Sequence, residues 1–296
     1  MKVKIRGVRG SIPVPGPDTV KYGGNTTCIE IITDNGDVII IDAGTGIRSL
    51  GLELMKNLPV NCSIFITHTH WDHIQGLPFF IPLFVPGNNI NFYGSFDPVN
   101  NKDLKEILSS QMQYCYFPVR ENELKANLNY NNIREGQVIE VGTAKVTSML
   151  MNHPVLNFGY KIEADGQEFF FTGDHEPALN IYDPEDEEYA DYQQIINEQE
   201  QVIIDFIQDV DCAVIDSQYT IEEYKTKSGW GHSTYYGGMH MAERANIKNL
   251  YLTHHDPERK DSDLDEIYQQ LLSYKKENGY KANVQLAREN VELDLS

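Results

Sequence analysis

Ser63-Ile-Phe-Ile-Thr-His-Thr-His-Trp-Asp-His73 is an apolar run that ends in four potential metal ligands. Ser63–Thr67 reads as a buried strand, rich in β-branched and aromatic residues. The motif therefore sits where a strand leaves its sheet. Residues 68 and 70 lie on one face of an extended chain, and a following turn can bring Asp72 and His73 back to the same space. Imidazole and carboxylate are the ligands of borderline divalent metals. A single histidine here would be unremarkable, but His68, His70, Asp72 and His73 within six positions point to a metal site.

The surrounding chain alternates short apolar runs with Gly-, Asp- and Asn-rich breaks. Eleven strands are expected, among them Val38–Ile41, Lys145–Met151, Glu168–Thr172, Ala213–Asp216 and Leu250–Thr253. Five helices are expected: Arg48–Lys56, Asp103–Gln113, Gln193–Ile207, Tyr235–Ala245 and Ser262–Lys276. Strands dominate the first half and helices become more frequent later. That mix gives an α/β (α+β) layered sandwich in a single domain over residues 1–296. Asp165-Gly166 between two strands marks a hairpin.

The chain carries 24 Lys+Arg against 44 Asp+Glu, a formal net charge of −20 over 296 residues. A protein that grips a long nucleic acid usually shows a basic footprint, and in bulk this one does not. The acidity is uneven. Tyr182–Asp211 contains eleven Asp/Glu and no Lys/Arg, more than half of the net charge. It reads as a loop followed by an amphipathic helix with an acidic polar face, together an acidic segment at about 180–211. Ile195, Ile196, Val202, Ile203, Phe206 and Ile207 form the apolar stripe. No run reaches the ~18 apolar residues of a membrane span. The N-terminus already alternates like a strand, with no signal peptide evident. The four scattered cysteines suit reduced thiols in the cytoplasm.

The unbroken His68-Thr-His70-Trp-Asp72-His73 resembles the signature of the metallo-β-lactamase superfamily. Further residues match that pattern in order, each after a strand-like run: His153 in MLMNHPV, Asp174 in FFFTGDHEP and His254 in LYLTHHDP. The resemblance implies an αβ/βα four-layer sandwich with two mixed β-sheets and a dinuclear site. One metal takes His68, His70 and His153. The other takes Asp72, His73 and His254, and Asp174 bridges them. His255 directly follows His254, so the last ligand is open to a slip of one residue. Asp42, in IDAGTG, and His175 are expected to stand behind the ligands. Zinc is the first expectation, with manganese and iron served by the same donors.

Gly231-His-Ser-Thr234, some twenty residues before His254, resembles the ribonuclease Z-like and cyclic-nucleotide phosphodiesterase-like branch. There the histidine, here His232, assists phosphodiester cleavage, with Asp72 on the metal side. The segment RGVRGSIPVPGPDTVKYGGNTTCIEI resembles the same branch, and Arg9, Ser11, Asn25 and Thr26 become candidates for contacting substrate. Departing from the tRNA-processing members, the chain shows no basic protruding arm, and only 21 positions separate His153 from Asp174. The expected function is hydrolysis of a small phosphodiester, a cyclic nucleotide first, by hydroxide that two metals make available. The alternatives are a tRNA 3′-processing endonuclease, another hydrolase of this fold, or a metal-binding sensor without turnover. The aromatic segments 77–87 and 112–119 are either a lid over a base or ordinary core and subunit contacts, and the resemblance implies a homodimer.

Overall fold

The computed structural model describes residues 1–296. Six strands form one sheet in sequence order: β1 (Lys2–Gly7), β2 (Cys28–Ile32), β3 (Val38–Ile41), β4 (Asn61–Phe65), β5 (Asn89–Gly94) and β6 (Asn127–Asn132). The first two pairings are antiparallel and the other three parallel. Seven strands form the second sheet: β7 (Val138–Val141), β8 (Ala144–Met151), β9 (Asn157–Ala164), β10 (Gln167–Phe171), β11 (Cys212–Asp216), β12 (Asn249–Thr253) and β13 (Asn283–Leu286). Its pairings are antiparallel from β7 to β10 and parallel from β10 to β13. Seven α-helices complete the chain: α1 (Ile47–Leu54), α2 (Trp71–Ile74), α3 (Leu104–Ser110), α4 (Tyr189–Phe206), α5 (Ile221–Lys227), α6 (Tyr235–Arg244) and α7 (Asp261–Asn278).

Strand alternation builds the layers. In β10, Phe169 and Phe171 face the other sheet while Phe170 turns to the helices. In β3, Ile39 and Ile41 point inward and Ile40 outward. Both faces of these strands are buried, which is why they read as continuous apolar runs. The central core joins Val3, Ile5, Ile31 and Phe65 of one sheet to Val146, Tyr160, Ile162 and Val214 of the other. Outside the second sheet lie Ile204 of α4, Met239 and Ala242 of α6, and Leu264 and Leu271 of α7. Outside the first lie Ile47 and Leu50 of α1 and Leu104 and Leu108 of α3. Each such Val, Leu, Ile, Phe or Met side chain contributes about 1.5–3 kcal/mol on burial. The result is the expected αβ/βα four-layer sandwich of two mixed sheets.

Some local features differ from expectation. β6 and β13 are edge strands that the sequence did not announce. β6 reads NLNYNN, and asparagine is depleted in strands, yet it pairs in register with β5. β4 stops at Phe65 instead of Thr67, because the Thr67 backbone N–H bonds the Asp42 carboxylate at 2.8 Å and leaves the sheet. Helix α4 starts at Tyr189, earlier than the apolar stripe suggested, and Ile195 and Val202 of that stripe are 48% and 58% exposed. Segment 77–87 is mainly core: Leu77, Phe80 and Leu83 are buried, and Phe79 packs edge-on against Phe117. Asp165 and Gly166 both adopt positive φ, as a two-residue hairpin turn requires. Cys28, Cys62 and Cys212 are buried thiols and Cys115 is exposed; none is paired. No helix is long and apolar enough to cross a membrane.

Candidate metal centre

The site forms where strands of both sheets end. Asp42 follows β3, His68 follows β4, His153 follows β8, Asp174 follows β10, Asp216 closes β11 and His254 follows β12. His70 precedes α2, whose first turn carries Asp72 and His73. A strand end projects a side chain past its sheet, so strand ends from two facing sheets converge on one space.

Donor atoms gather there in three groups, each within 4.8 Å: His68, His70, His153 and Asp174; Asp72, His73, Asp174 and His254; Asp174, Asp216, His232 and His254. Asp174 belongs to all three. Its Oδ1 lies 3.1 Å from His73 Nε2 and 3.2 Å from His254 Nε2, and its Oδ2 lies 3.4 Å from His68 Nε2. His153 Nε2 is 3.1 Å from His70 Nδ1. The two sequence-derived ligand sets are therefore among the three groups that the fold brings together.

Buried His68 Nε2, His73 Nε2 and Asp174 Oδ1 have no hydrogen-bond partner. Leaving such atoms unsatisfied costs about 1–3 kcal/mol each. The donors are imidazole and carboxylate, the chemistry that divalent ions take, so the residues fit a pair of such ions. Supporting contacts orient the rings. Asp42 Oδ2 holds His73 Nδ1 at 2.7 Å, and the Gly231 carbonyl accepts from His153 Nδ1 at 2.9 Å. Each bond fixes a tautomer and turns Nε2 into the site. Charged groups crowd together in the cluster. Burial alone would raise the Asp174 carboxyl, but His254, His73 and His68 hold it well below the usual carboxylate range. Burial alone would lower His254, yet Asp174 and Asp72 lift it to about 9.

Of the adjacent His254 and His255, His254 lies in the cluster. His254 adopts a left-handed backbone (φ 63°) that turns its ring into the cluster. His255 is fully buried elsewhere, with Nε2 against the Ala287 carbonyl at 3.1 Å. Gly10 makes room for His254: a Cβ there would lie 2.3 Å from the ring.

His232 is in the cluster. Its ring stacks on His254 with centroids 4.7 Å apart, and its Nδ1 lies 3.0 Å from Asp216 Oδ2. His175 sits behind, with its backbone N–H on the same Asp216 oxygen at 2.9 Å.

The N-terminal candidates fare differently. Arg9 is fully buried and spends its guanidinium on the carbonyls of Gly23, Asp256 and Arg259, so it does not face a substrate. Asn25 is tied to Glu289 and Thr45, and buried Thr26 to Thr45 and Gln75. These three shape the loop and correct the expectation of substrate contact. Ser11 touches the site only through its backbone, whose N–H donates to Asp72 Oδ2 at 2.7 Å.

Two site residues escaped the sequence reading. Asp216 follows an apolar run just as Asp174 does, and that signal was available. Glu176 gave none. Buried, it accepts from the backbone N–H of Gly229 and Gly231 at 2.7 and 2.6 Å and from Tyr224 Oη at 2.7 Å. It thus pins the loop that supplies the Gly231 carbonyl to His153 and carries His232. Gly231 has φ 93°, and a Cβ on it would meet His153 Nδ1 at 2.4 Å.

This fold with this cluster defines a metal-dependent hydrolase class. Residues 38–255 match the family model described as "Beta-lactamase superfamily domain", and the chain belongs to that family. Ribonuclease Z of Lactiplantibacillus plantarum is 24% identical over 263 residues, covering 77% of this chain and 80% of the relative. A structure described as a new diphosphatase from the PhnP family superposes with TM-score 0.67 at 18% identity, covering 100% of this chain and 98% of that one. Human tRNase Z, short form, superposes with TM-score 0.64 at 17% identity, covering 100% of both. The structural likenesses bear on the fold. The expected superfamily and its ribonuclease Z-like branch are borne out, and membership implies divalent metal ions.

Proposed function

We propose that the chain is a metal-dependent phosphodiesterase acting on small phosphodiesters, with cyclic nucleotides as the first candidates. The observation that carries the reading is the convergence of two His/Asp donor sets on Asp174, with His232 stacked at their edge. His68, His70 and His153 would hold one ion, and Asp72, His73 and His254 the other. Asp174 would serve both, and zinc is the proposed metal. When bound, such a pair supplies hydroxide near neutral pH and neutralises phosphoryl charge.

In hydrolysis the water oxygen bonds to phosphorus, the ester P–O bond breaks, and the departing oxygen gains a proton. In this reading His232 gives that proton from Nε2–H, keeping its Nδ1–H. Asp216 accepts from its Nδ1–H, so Nε2 is free to face the leaving oxygen. Asp72 is assigned the proton of the attacking water. Ser11 holds the carboxylate in place through its backbone N–H.

Processing of tRNA 3′ ends is the second reading, and the ribonuclease Z relatives favour it. The formal charge of −20 weighs against a long polyanion. The segment from His153 to Asp174 also leaves no room for an arm, being taken up by the β9–β10 hairpin. A homodimer and a cytoplasmic setting are part of the proposal, as is a single domain over 1–296. Metal-loaded protein assayed with bis-p-nitrophenyl phosphate, cyclic AMP and cyclic GMP tests the reading. Turnover supports it, and inactivity on all three rejects it. Bound metal without turnover of any ester would point to a sensor.

A further inference from the structure

The metal cluster borders a cavity of about 800 Å³. His153 belongs to both, and Thr69, between the ligands His68 and His70, also lines the cavity. Its walls come from the loop after β5, from the end of β8 with the turn that follows it, and from the middle of α4. Its volume is that of a site for a small organic molecule.

Nine of its nineteen lining residues are hydrophobic, and several of these meet solvent beside the polar Asn100, Asn152 and Gln199. Phe96, Val99, Leu156 and Val202 all line it and are 38%, 88%, 39% and 58% exposed. Val202 is notable for its setting, because it lies on the acidic helix and belongs to the apolar stripe read from the sequence. Here it faces the cavity. Met149 and Met151 lie buried in the same lining, and methionine adapts to varied apolar shapes. Exposed apolar side chains gathered around one concavity mark a binding surface.

The charges in the cavity share one sign. Asp97 and Glu135 are its only charged lining residues apart from the ligand histidine, and no Lys or Arg is present. Asp97 caps its own loop, accepting from the backbone of Val99 and Asn100. A second phosphate in the cavity would meet two carboxylates and no cation.

We propose that this cavity is the subsite for the organic group of a singly charged phosphodiester, and that the group it takes is uncharged with a broad apolar face. The proposal rests on the phosphodiesterase reading and names its substrate class. It selects against diphosphates and polynucleotides, whose further phosphates the cavity repels.

Two esters with the same leaving group test it: bis-p-nitrophenyl phosphate, whose second group is aromatic, and methyl p-nitrophenyl phosphate. The expected wild-type ratio of kcat/KM, bis over methyl, is about tenfold or more. In Val99→Asp and Val202→Asp, at exposed positions where folding is checked by circular dichroism, that ratio falls towards one. The neutral probe N-phenyl-1-naphthylamine gives an activity-independent readout. Its fluorescence rises with wild type, with or without metal, and does not rise with either variant. A wild-type ratio near one that neither variant changes, with no probe binding, overturns the subsite and leaves the phosphodiesterase reading standing. Hydrolysis of neither ester overturns that reading instead, and probe binding alone then supports or rejects the apolar site.

Discussion

Asp216 Oδ2 lies 3.0 Å from His232 Nδ1 and also accepts the His175 backbone N–H, so the imidazole is held from behind by a fixed, fully buried carboxylate. That contact commits Nδ1 to protein, and the proposed mechanism leaves Nε2 to meet the leaving oxygen. His232→Ala is expected to lower kcat by about 10²–10⁴-fold while metal content stays at the wild-type value. The loss should be larger for alkyl esters, whose alkoxide needs a proton, than for p-nitrophenyl esters, whose leaving group does not. Equal losses on the two would remove His232 as the proton donor.

Metal removal should cost stability as well as activity. The unpartnered His68 Nε2, His73 Nε2 and Asp174 Oδ1 are satisfied only by something that binds between them. A ligand bound to the native state alone adds about 4 kcal/mol at a thousand times its Kd. Chelation is therefore expected to lower Tm by several degrees, and re-addition of zinc to restore it. Asp174→Ala should lose both ions in elemental analysis and His153→Ala only one. Two ions retained in Asp174→Ala would contradict the shared carboxylate.

Glu176 lies behind the cluster and acts through its loop. Removing it strands the buried N–H of Gly231, at about 1–3 kcal/mol, and frees that of exposed Gly229 to solvent. It also loosens the Gly231 carbonyl that orients His153. Glu176→Ala is expected to weaken metal binding by about 10–100-fold, as lost support of a ligand does. Glu176→Gln, which keeps one acceptor oxygen, should recover part of the loss. Metal titration of the folded variants reads both, and wild-type affinity in Glu176→Ala would refute the link.

A pH-dependent contribution to stability lies outside the donor cluster. Buried Arg6 bonds Glu30 at 2.6 Å and half-exposed Glu53 at 2.9 Å. The hydrogen bond from Arg6 holds the Glu53 carboxyl below its ordinary 4.5, against the smaller opposing effect of burial. A depressed folded value means the unfolded chain binds the proton more readily. The contribution is thus complete above the ordinary value and is lost as pH falls through the folded one. The difference in urea midpoint between wild type and Glu53→Gln should be constant from pH 7 to 5 and shrink below 4.5. A difference independent of pH would show that the ion pair adds nothing.

Much of the site was legible because its residues follow a repeated local rule, an apolar strand and then a ligand. The rule located His68, His153, Asp174 and His254, and it reached Asp216 too, where it was not applied. It failed for the N-terminal loop. Polar types there suggested phosphate contacts, but Arg9 is consumed by backbone carbonyls, and the Thr26 hydroxyl accepts from the Thr45 backbone N–H and Gln75 Nε2. Glu176 acts through backbone N–H groups more than fifty residues away, which no local pattern encodes. The edge strand β6 was missed because its partner supplies the pairing and its own composition opposes it. The apolar stripe on α4 was legible but not what covers it, and Val202 faces the cavity beside the cluster. Helical periodicity identifies an apolar face and leaves open whether protein or ligand covers it.

The most direct test of a small-phosphodiester enzyme is a side-by-side turnover measurement on the metal-reconstituted protein, with cyclic AMP in one arm and a 3′-extended precursor tRNA in the other. The account predicts hydrolysis of the cyclic nucleotide with no trimming of the tRNA. Trimming of the tRNA with the cyclic nucleotide left intact would contradict it.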